Sequence, residues 1–203
     1  MTTVSLPTAT ELLKDWDALR PRSRQKEMGI SALGGCRRKA GYHLQDFSPD
    51  PGFSGDGGME AIIGTSVHDA LAEAARQSVK LPLHARPEAL EVTFAGLKGH
   101  PDLFCEPVLR DYKTVGHTTQ LDRLRTHGPW QNHLWQVNLY AAALILAGHK
   151  VTIIEIDYIA RSTGEEYLWS GPFDLAQVRD AVSWLELVRS TPAEYLSRDY
   201  RPE

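Results

Sequence analysis

Between residues 99 and 114 the chain reads GHPDLFCEPVLRDYKT, two runs of β-forming residues joined at Glu106-Pro107. This stretch limits the possible folds more than any other, because it carries Asp102, Asp111 and Lys113 into what reads as the middle of a sheet. Charges buried without partners are costly, so the segment needs an arrangement that pairs them. Side chains two apart on a strand share a face, which sends Asp111 and Lys113 one way and Tyr112 the other. A hairpin turning near Glu106-Pro107 sets Asp102 roughly opposite Asp111. Two facing carboxylates repel unless something positive lies between them.

Periodicity outlines the elements around this hairpin. Thr8 or Thr10 caps a predicted helix through ELLKDWDALR, after which Pro21 and a basic cluster (Arg20, Arg22, Arg24, Lys26) interrupt it. A second helix is predicted from Ser31 through SALGGCRRKAGYHLQ, with Leu33, Cys36, Ala40 and Leu44 near one stripe. SPDPGFSGDGG, residues 48–58, reads as a loop, and MEAIIGTSVHDALAEAARQSV, residues 59–79, as a helix carrying His68. EVTFAGL, GHPDLFCE and VLRDYKTV read as an antiparallel meander turning near Lys98-Gly99 and Glu106-Pro107. A polar connection over 115–129 leads to the helix WQNHLWQVNLYAAALILAG, which stops at Gly148. Two strands, VTIIEIDYIA and EEYLWSGPF, and the helix DLAQVRDAVSWLELVRS complete the order. Helices, three strands, helix, two strands, helix predict an α/β fold, a central mixed β-sheet flanked by helices.

At 203 residues with 42% apolar content, one domain is expected over 1–203, with a helical N-terminal region and loop in 1–58 and the core in 59–190. A net charge of -4 excludes a polybasic coat, so any polyanion must be met by local patches such as Arg37, Arg38 and Lys39. Cys36 and Cys105 lie far apart without CxxC spacing, which fits an intracellular, reducing setting. The N-terminus lacks the pattern of a signal peptide, and the longest apolar stretch, 140–148, is too short to span a bilayer; a soluble, cytoplasmic, unprocessed protein is expected. No GxxxxGK[ST] segment is present, so ATP-driven unwinding would have to come from a partner.

Paired carboxylates with a lysine two residues on suit a hard divalent cation, magnesium or manganese, beside a positioned water. Hydrolysis of a phosphodiester needs both. Glu91, at the start of the preceding strand, is a candidate further ligand. Set against this, an Asp-x-Lys triplet on an exposed strand face is ordinarily a solvated ion pair.

The ordered series ISALGGCRRKAGY, GTSVHDAL, GHPDLF, DYKT and QVNLY, over roughly residues 30–170, resembles the PD-(D/E)xK nucleases, in particular the RecB-like exonuclease branch. The resemblance implies a restriction-endonuclease-like core. It also implies that Asp102 and Asp111 bind metal, that Lys113 serves the attacking water, and that His68 and the backbone carbonyl of Tyr112 are further ligands. Gln136 and Tyr140, four apart on one helical face, match the QxxxY-like pattern that lies against the active site. Trp130, Trp135, Trp169 and Trp184 are candidates for base stacking, with core packing the commoner use.

Relatives of this branch in CRISPR adaptation and in bacterial helicase complexes hold an iron-sulfur cluster with one early and three late cysteines. Cys36 sits at the early position and STPAEYLSRDYRPE contains none, so no cluster is expected. Cluster-free members, many of them phage-encoded, fit better. The function implied is a magnesium- or manganese-dependent DNA exonuclease of recombination, repair or phage DNA metabolism, acting on single strands or ends, alone or with a recombination or helicase partner. The alternatives are a catalytically silent module that grips DNA ends or a protein, and an interaction protein with a decorative Asp-x-Lys.

Overall fold

The computed structural model describes residues 8–19, 28–45, 58–81, 86–87 and 91–198. Its sheet has five strands in the order β1-β4-β5-β6-β7: β1 (Arg86–Pro87), β4 (Leu103–Cys105), β5 (Val108–Val115), β6 (Ile153–Ala160) and β7 (Glu166–Pro172). A separate ribbon pairs β2 (Val92–Phe94) with β3 (Leu97–Gly99). The helices are α1 (Ala9–Leu19), α2 (Arg37–Leu44), α3 (Gly58–Gln77), α4 (Thr118–His127), α5 (Gln131–Leu146) and α6 (Leu175–Ser190). The sheet is mixed, as expected: β4 and β5 form an antiparallel hairpin, β5 and β6 run parallel over all eight residues of each, and β6 and β7 are antiparallel.

The core follows the strand period. Leu109, Asp111 and Val115 of β5 and Ile154, Ile156, Tyr158 and Ala160 of β6 are buried, whereas Arg110, Tyr112, Thr114, Glu155 and Asp157 between them are half-buried. Against this region packs α5, in which every residue from Gln136 to Leu144 is buried. A helix buried all round needs cover on several sides; here β2, β5, β6, α6 and the 3-10 turn Ile30–Ala32 supply it. Among the described residues no helix is long and apolar enough to cross a membrane.

Four local expectations need correction. The helix predicted from Ser31 begins at Arg37; Ile30–Ala32 is a 3-10 turn, and Gly34 takes φ +74 so close to α5 that a Cβ there would lie 2.8 Å from Asn132 Cβ. A left-handed residue in such a space must be glycine, and it ends the helical path. The turn expected at Lys98-Gly99 lies at Ala95-Gly96, where both residues have positive φ, as a two-residue hairpin loop requires. That divides EVTFAGL between β2 and β3 and detaches the ribbon from the β4–β5 hairpin, so the three-stranded meander does not form. The polar connection at 115–129 contains α4, closed at its start by a capping box between His117 and Gln120 and anchored by Leu121 and Leu124, both fully buried. At α1, Thr8 is the capping residue: Glu11 N donates to Thr8 Oγ1 at 3.3 Å and Thr8 N to Glu11 Oε2 at 2.7 Å. The loop 48–57 and the cluster Arg20, Arg22, Arg24 and Lys26 lie outside the described residues.

Candidate active site

The β4–β5 hairpin turns at Glu106-Pro107 and pairs Leu103 with Arg110. One further step in that register puts Asp102 opposite Asp111, the arrangement the sequence predicts. Asp102 is fixed through both oxygens: Oδ1 lies 3.0 Å from His68 Nδ1 on α3, and Oδ2 accepts the Tyr112 N–H at 2.8 Å. Asp111 is 1% exposed. Its Oδ1 accepts from Gln136 Nε2 at 3.3 Å, and its Oδ2 meets Lys113 Nζ at 2.6 Å, an ion pair without hydrogen-bond angles. Gln136 also donates to the Tyr140 hydroxyl at 3.0 Å, so one amide ties two members of α5 to β5.

Glycine is required where β3 passes α5. A Cβ on Gly99 would lie 2.3 Å from Tyr140 Cε1, well inside van der Waals contact. The backbone there admits the ring that carries the hydroxyl to Gln136.

Electrostatics separates the two acids. Burial pushes the Asp111 carboxyl up to about 6, with the Asp102 charge adding to it and the charges of Lys113 and His68 opposing. Burial also acts upward on Asp102, but the hydrogen bond and charge of His68, the charge of Lys113 and the Tyr112 N–H together hold it below its ordinary range. His68 is raised: burial acts downward on it, and the hydrogen bond and charge of Asp102 prevail. Burial next to Asp111 raises the Tyr140 hydroxyl further above its usual value. Carboxyls pushed apart by their surroundings are a signature of sites that do proton or metal chemistry.

A cavity of about 430 Å³ opens onto this cluster and is lined by His68, Asp102, Asp111, Lys113, Gln136 and Tyr140. It also takes in residues to which the sequence analysis assigns no role of their own: Gly29 and Ser31, Gly64 and Thr65 on α3, Lys98 and Gly99 on β3, and His100 just after it. Gly64 and His68 are four apart on one helical face, a spacing that puts Gly64 of the GTSVHDAL segment beside the histidine.

Other candidates stand elsewhere. Glu91 does not line the cavity; its carboxylate meets Lys98 Nζ at 3.4 Å and His100 Nε2 at 3.6 Å. Arg37 and Lys39 are exposed, and none of Arg37, Arg38 and Lys39 lines the cavity. Arg38 is engaged internally, donating from Nε to Leu196 O at 2.9 Å and from Nη2 to Glu194 O at 2.6 Å. Trp135 and Trp184 pack together with centroids 6.3 Å apart, Trp169 packs against the core, and Trp130 carries the Arg123 guanidinium 4.9 Å from its ring centroid. Neither Cys36 nor Cys105 is in a disulfide.

Among the described residues no three His, Cys, Asp or Glu side chains converge on a point that could hold an ion as they stand. The donors instead face Lys113, the Tyr112 N–H and one another. Their chemistry nevertheless fits a hard cation: two carboxylates, one of them desolvated, with an imidazole 3.0 Å from the other, form a donor set of the kind magnesium and manganese take.

No protein-family model matches the sequence, and no curated protein matches it. Solved structures do match the fold. An alkaline exonuclease from Laribacter hongkongensis superposes with a TM-score of 0.53 at 13% identity, over 90% of this chain and 95% of that one. A phage-related exonuclease from Haemophilus somnus 129PT gives 0.54 at 8% identity, over 83% and 94%. The crystal structure of SSO0001 gives 0.51 at 20% identity, over 92% and 89%. The chain thus shares the fold of these exonuclease structures, a mixed sheet flanked by helices as the sequence analysis expects.

Proposed function

We propose that this chain is a magnesium- or manganese-dependent deoxyribonuclease, an exonuclease formed as one nuclease domain and serving recombination, repair or phage DNA metabolism in the cytoplasm. The observation that carries the reading is Asp111, an acid 1% exposed in the middle of a sheet, facing Lys113 and the register position of Asp102. A carboxylate so placed is unfavourable for stability, and hydrolytic chemistry gives it a purpose. His68, Asp102, Asp111 and the Tyr112 carbonyl would hold the ion, which when bound supplies Lewis-acid stabilisation of charge building on the phosphate. Lys113 orients the water that adds across the P–O bond and donates to the oxygen that gains charge. Gln136 keeps Asp111 in its rotamer, and Tyr140 keeps Gln136 in its own.

The test is hydrolysis of labelled DNA with manganese or magnesium. Asp111→Ala and Lys113→Ala should each abolish cleavage while retaining the wild-type circular dichroism spectrum; undiminished cleavage by either removes its role. One observation favours a second reading, a silent module that binds DNA without cutting. The carboxylate that should meet an ion is already engaged by Lys113 at 2.6 Å. Metal-independent binding with no cleavage under any divalent ion would establish it.

A further inference from the structure

The exposed face of the β2–β3 ribbon holds an ion cluster at the mouth of the cavity. The register Val92↔Gly99 and Thr93↔Lys98, continued one step, sets Glu91 opposite His100. Alternation buries Leu97 and Gly99 and puts Lys98 and His100 together on the outer face. Glu91 therefore lies between them, across from one and diagonal to the other, at 3.6 Å and 3.4 Å. All three side chains are about half exposed, and Lys98 and His100, but not Glu91, line the cavity that contains Asp102 and Asp111.

We propose that Lys98 and His100 form a seat for a backbone phosphate of the nucleic-acid substrate and that Glu91 is the internal anion that occupies it until a phosphate arrives. The inference rests on the nuclease reading and extends it from the reacting bond to a neighbouring phosphate. An exposed carboxylate–ammonium pair is held weakly and is screened by salt, so an incoming phosphodiester can exchange with it. The seat lines the same cavity as Asp102 and Asp111 and stands two residues before Asp102 in the chain, so a phosphate held there belongs to the strand that enters the cavity. Glu91, read from sequence as a candidate metal ligand, becomes a competitor of the substrate instead.

The experiment is fluorescence anisotropy of a short fluorescein-labelled DNA oligonucleotide, titrated with protein in calcium over a range of salt. Glu91→Gln should tighten binding several-fold, whereas Lys98→Ala should weaken it and make the salt dependence shallower by about one phosphate contact, a slope change of roughly 0.7–0.9. In the Lys98→Ala background, where only His100 of the seat remains, Glu91→Gln should tighten binding much less. Equal tightening in both backgrounds would mean that Glu91 repels DNA at long range rather than occupying the seat, and would overturn the proposal. So would a Lys98→Ala variant with wild-type affinity and slope. If the wild type itself neither binds nor cleaves DNA, the nuclease reading fails along with it; binding and cleavage by the wild type with silent variants sink the phosphate seat alone.

Discussion

The substitution Asp111→Asn should make the protein more stable at neutral pH in the presence of a chelator while destroying the proposed activity. Asp111 titrates near 6 in the folded chain against an ordinary 3.8, because burial disfavours its charged form. Below pH 3.8 the carboxyl is protonated in both states and has no net effect. Between the two values the unfolded chain releases the proton and the folded chain keeps it, so stability is lost as pH rises through about 6. At about 1.4 kcal/mol for each pH unit separating them, the folded state is disfavoured by about 3 kcal/mol at pH 7.5. The ion pair with Lys113 is already included, since its attraction is part of what sets the folded value. The amide mimics the neutral carboxyl, so denaturant melts in EDTA should show the variant about 3 kcal/mol more stable at pH 7.5, with the gap closing by pH 4. In a chain of this length that corresponds to roughly 6–12 °C in Tm. Manganese at about a hundred times its Kd would restore roughly 3 kcal/mol to the wild type and little to the variant. A variant as stable as wild type, or less stable, at pH 7.5 and with no pH-dependent gap would refute the claim that Asp111 is held at a loss.

Two further changes probe the shell around it. Gly99→Ala drives a methyl into Tyr140 Cε1 and should cost about 1–3 kcal/mol in denaturant melts, with a fall in kcat as the ring and Gln136 shift; an unchanged melt would show that the ring yields freely. His68 tests the ligand set by pH: its folded value is raised, so if it ligates manganese it must lose a proton that it holds beyond pH 6.5, and ion affinity should keep rising with pH above the Asp111 titration. In His68→Gln the calorimetric affinity should level off above about pH 6, and the same profile in wild type would exclude His68 as a ligand.

The acids were legible because two short-range rules locate them. Strand alternation puts Asp111 and Lys113 on one face, and the Glu106-Pro107 turn fixes the register that brings Asp102 across. Lys98 and His100 escaped for a related reason. The true turn uses Ala95 at φ 49, and an alanine carries no compositional sign of a left-handed residue. A turn at Lys98-Gly99 puts Lys98 in a loop and His100 at the start of the next strand, which hides the face they share with Glu91. The helix α4 was missed because only Leu121 and Leu124 mark its buried side, too few to show a period. Arg38 illustrates a limit of another kind: its charge is visible in the chain, but the carbonyls of Glu194 and Leu196 that engage it are more than 150 residues away.

The two acids sit on unequal supports, and this bears on how the site works. Asp111 belongs to a strand paired along its whole length with β6 and covered by α5, so its backbone has little freedom to relieve the burial of its carboxylate. Asp102 stands just outside β4, a strand of three residues, and is held mainly by His68 and the Tyr112 N–H. The rigid acid is therefore the one that is hard to ionise, and the less constrained acid is charged across the working range. In the proposed function Asp102 would meet a cation as a carboxylate already free of Lys113, whereas Asp111 would have to give up its contact with Lys113 to do so. Giving up that contact would leave the ammonium free to orient the water. The 2.6 Å contact between a buried Asp and a half-buried Lys on one strand face is the adjacency that such an exchange would need.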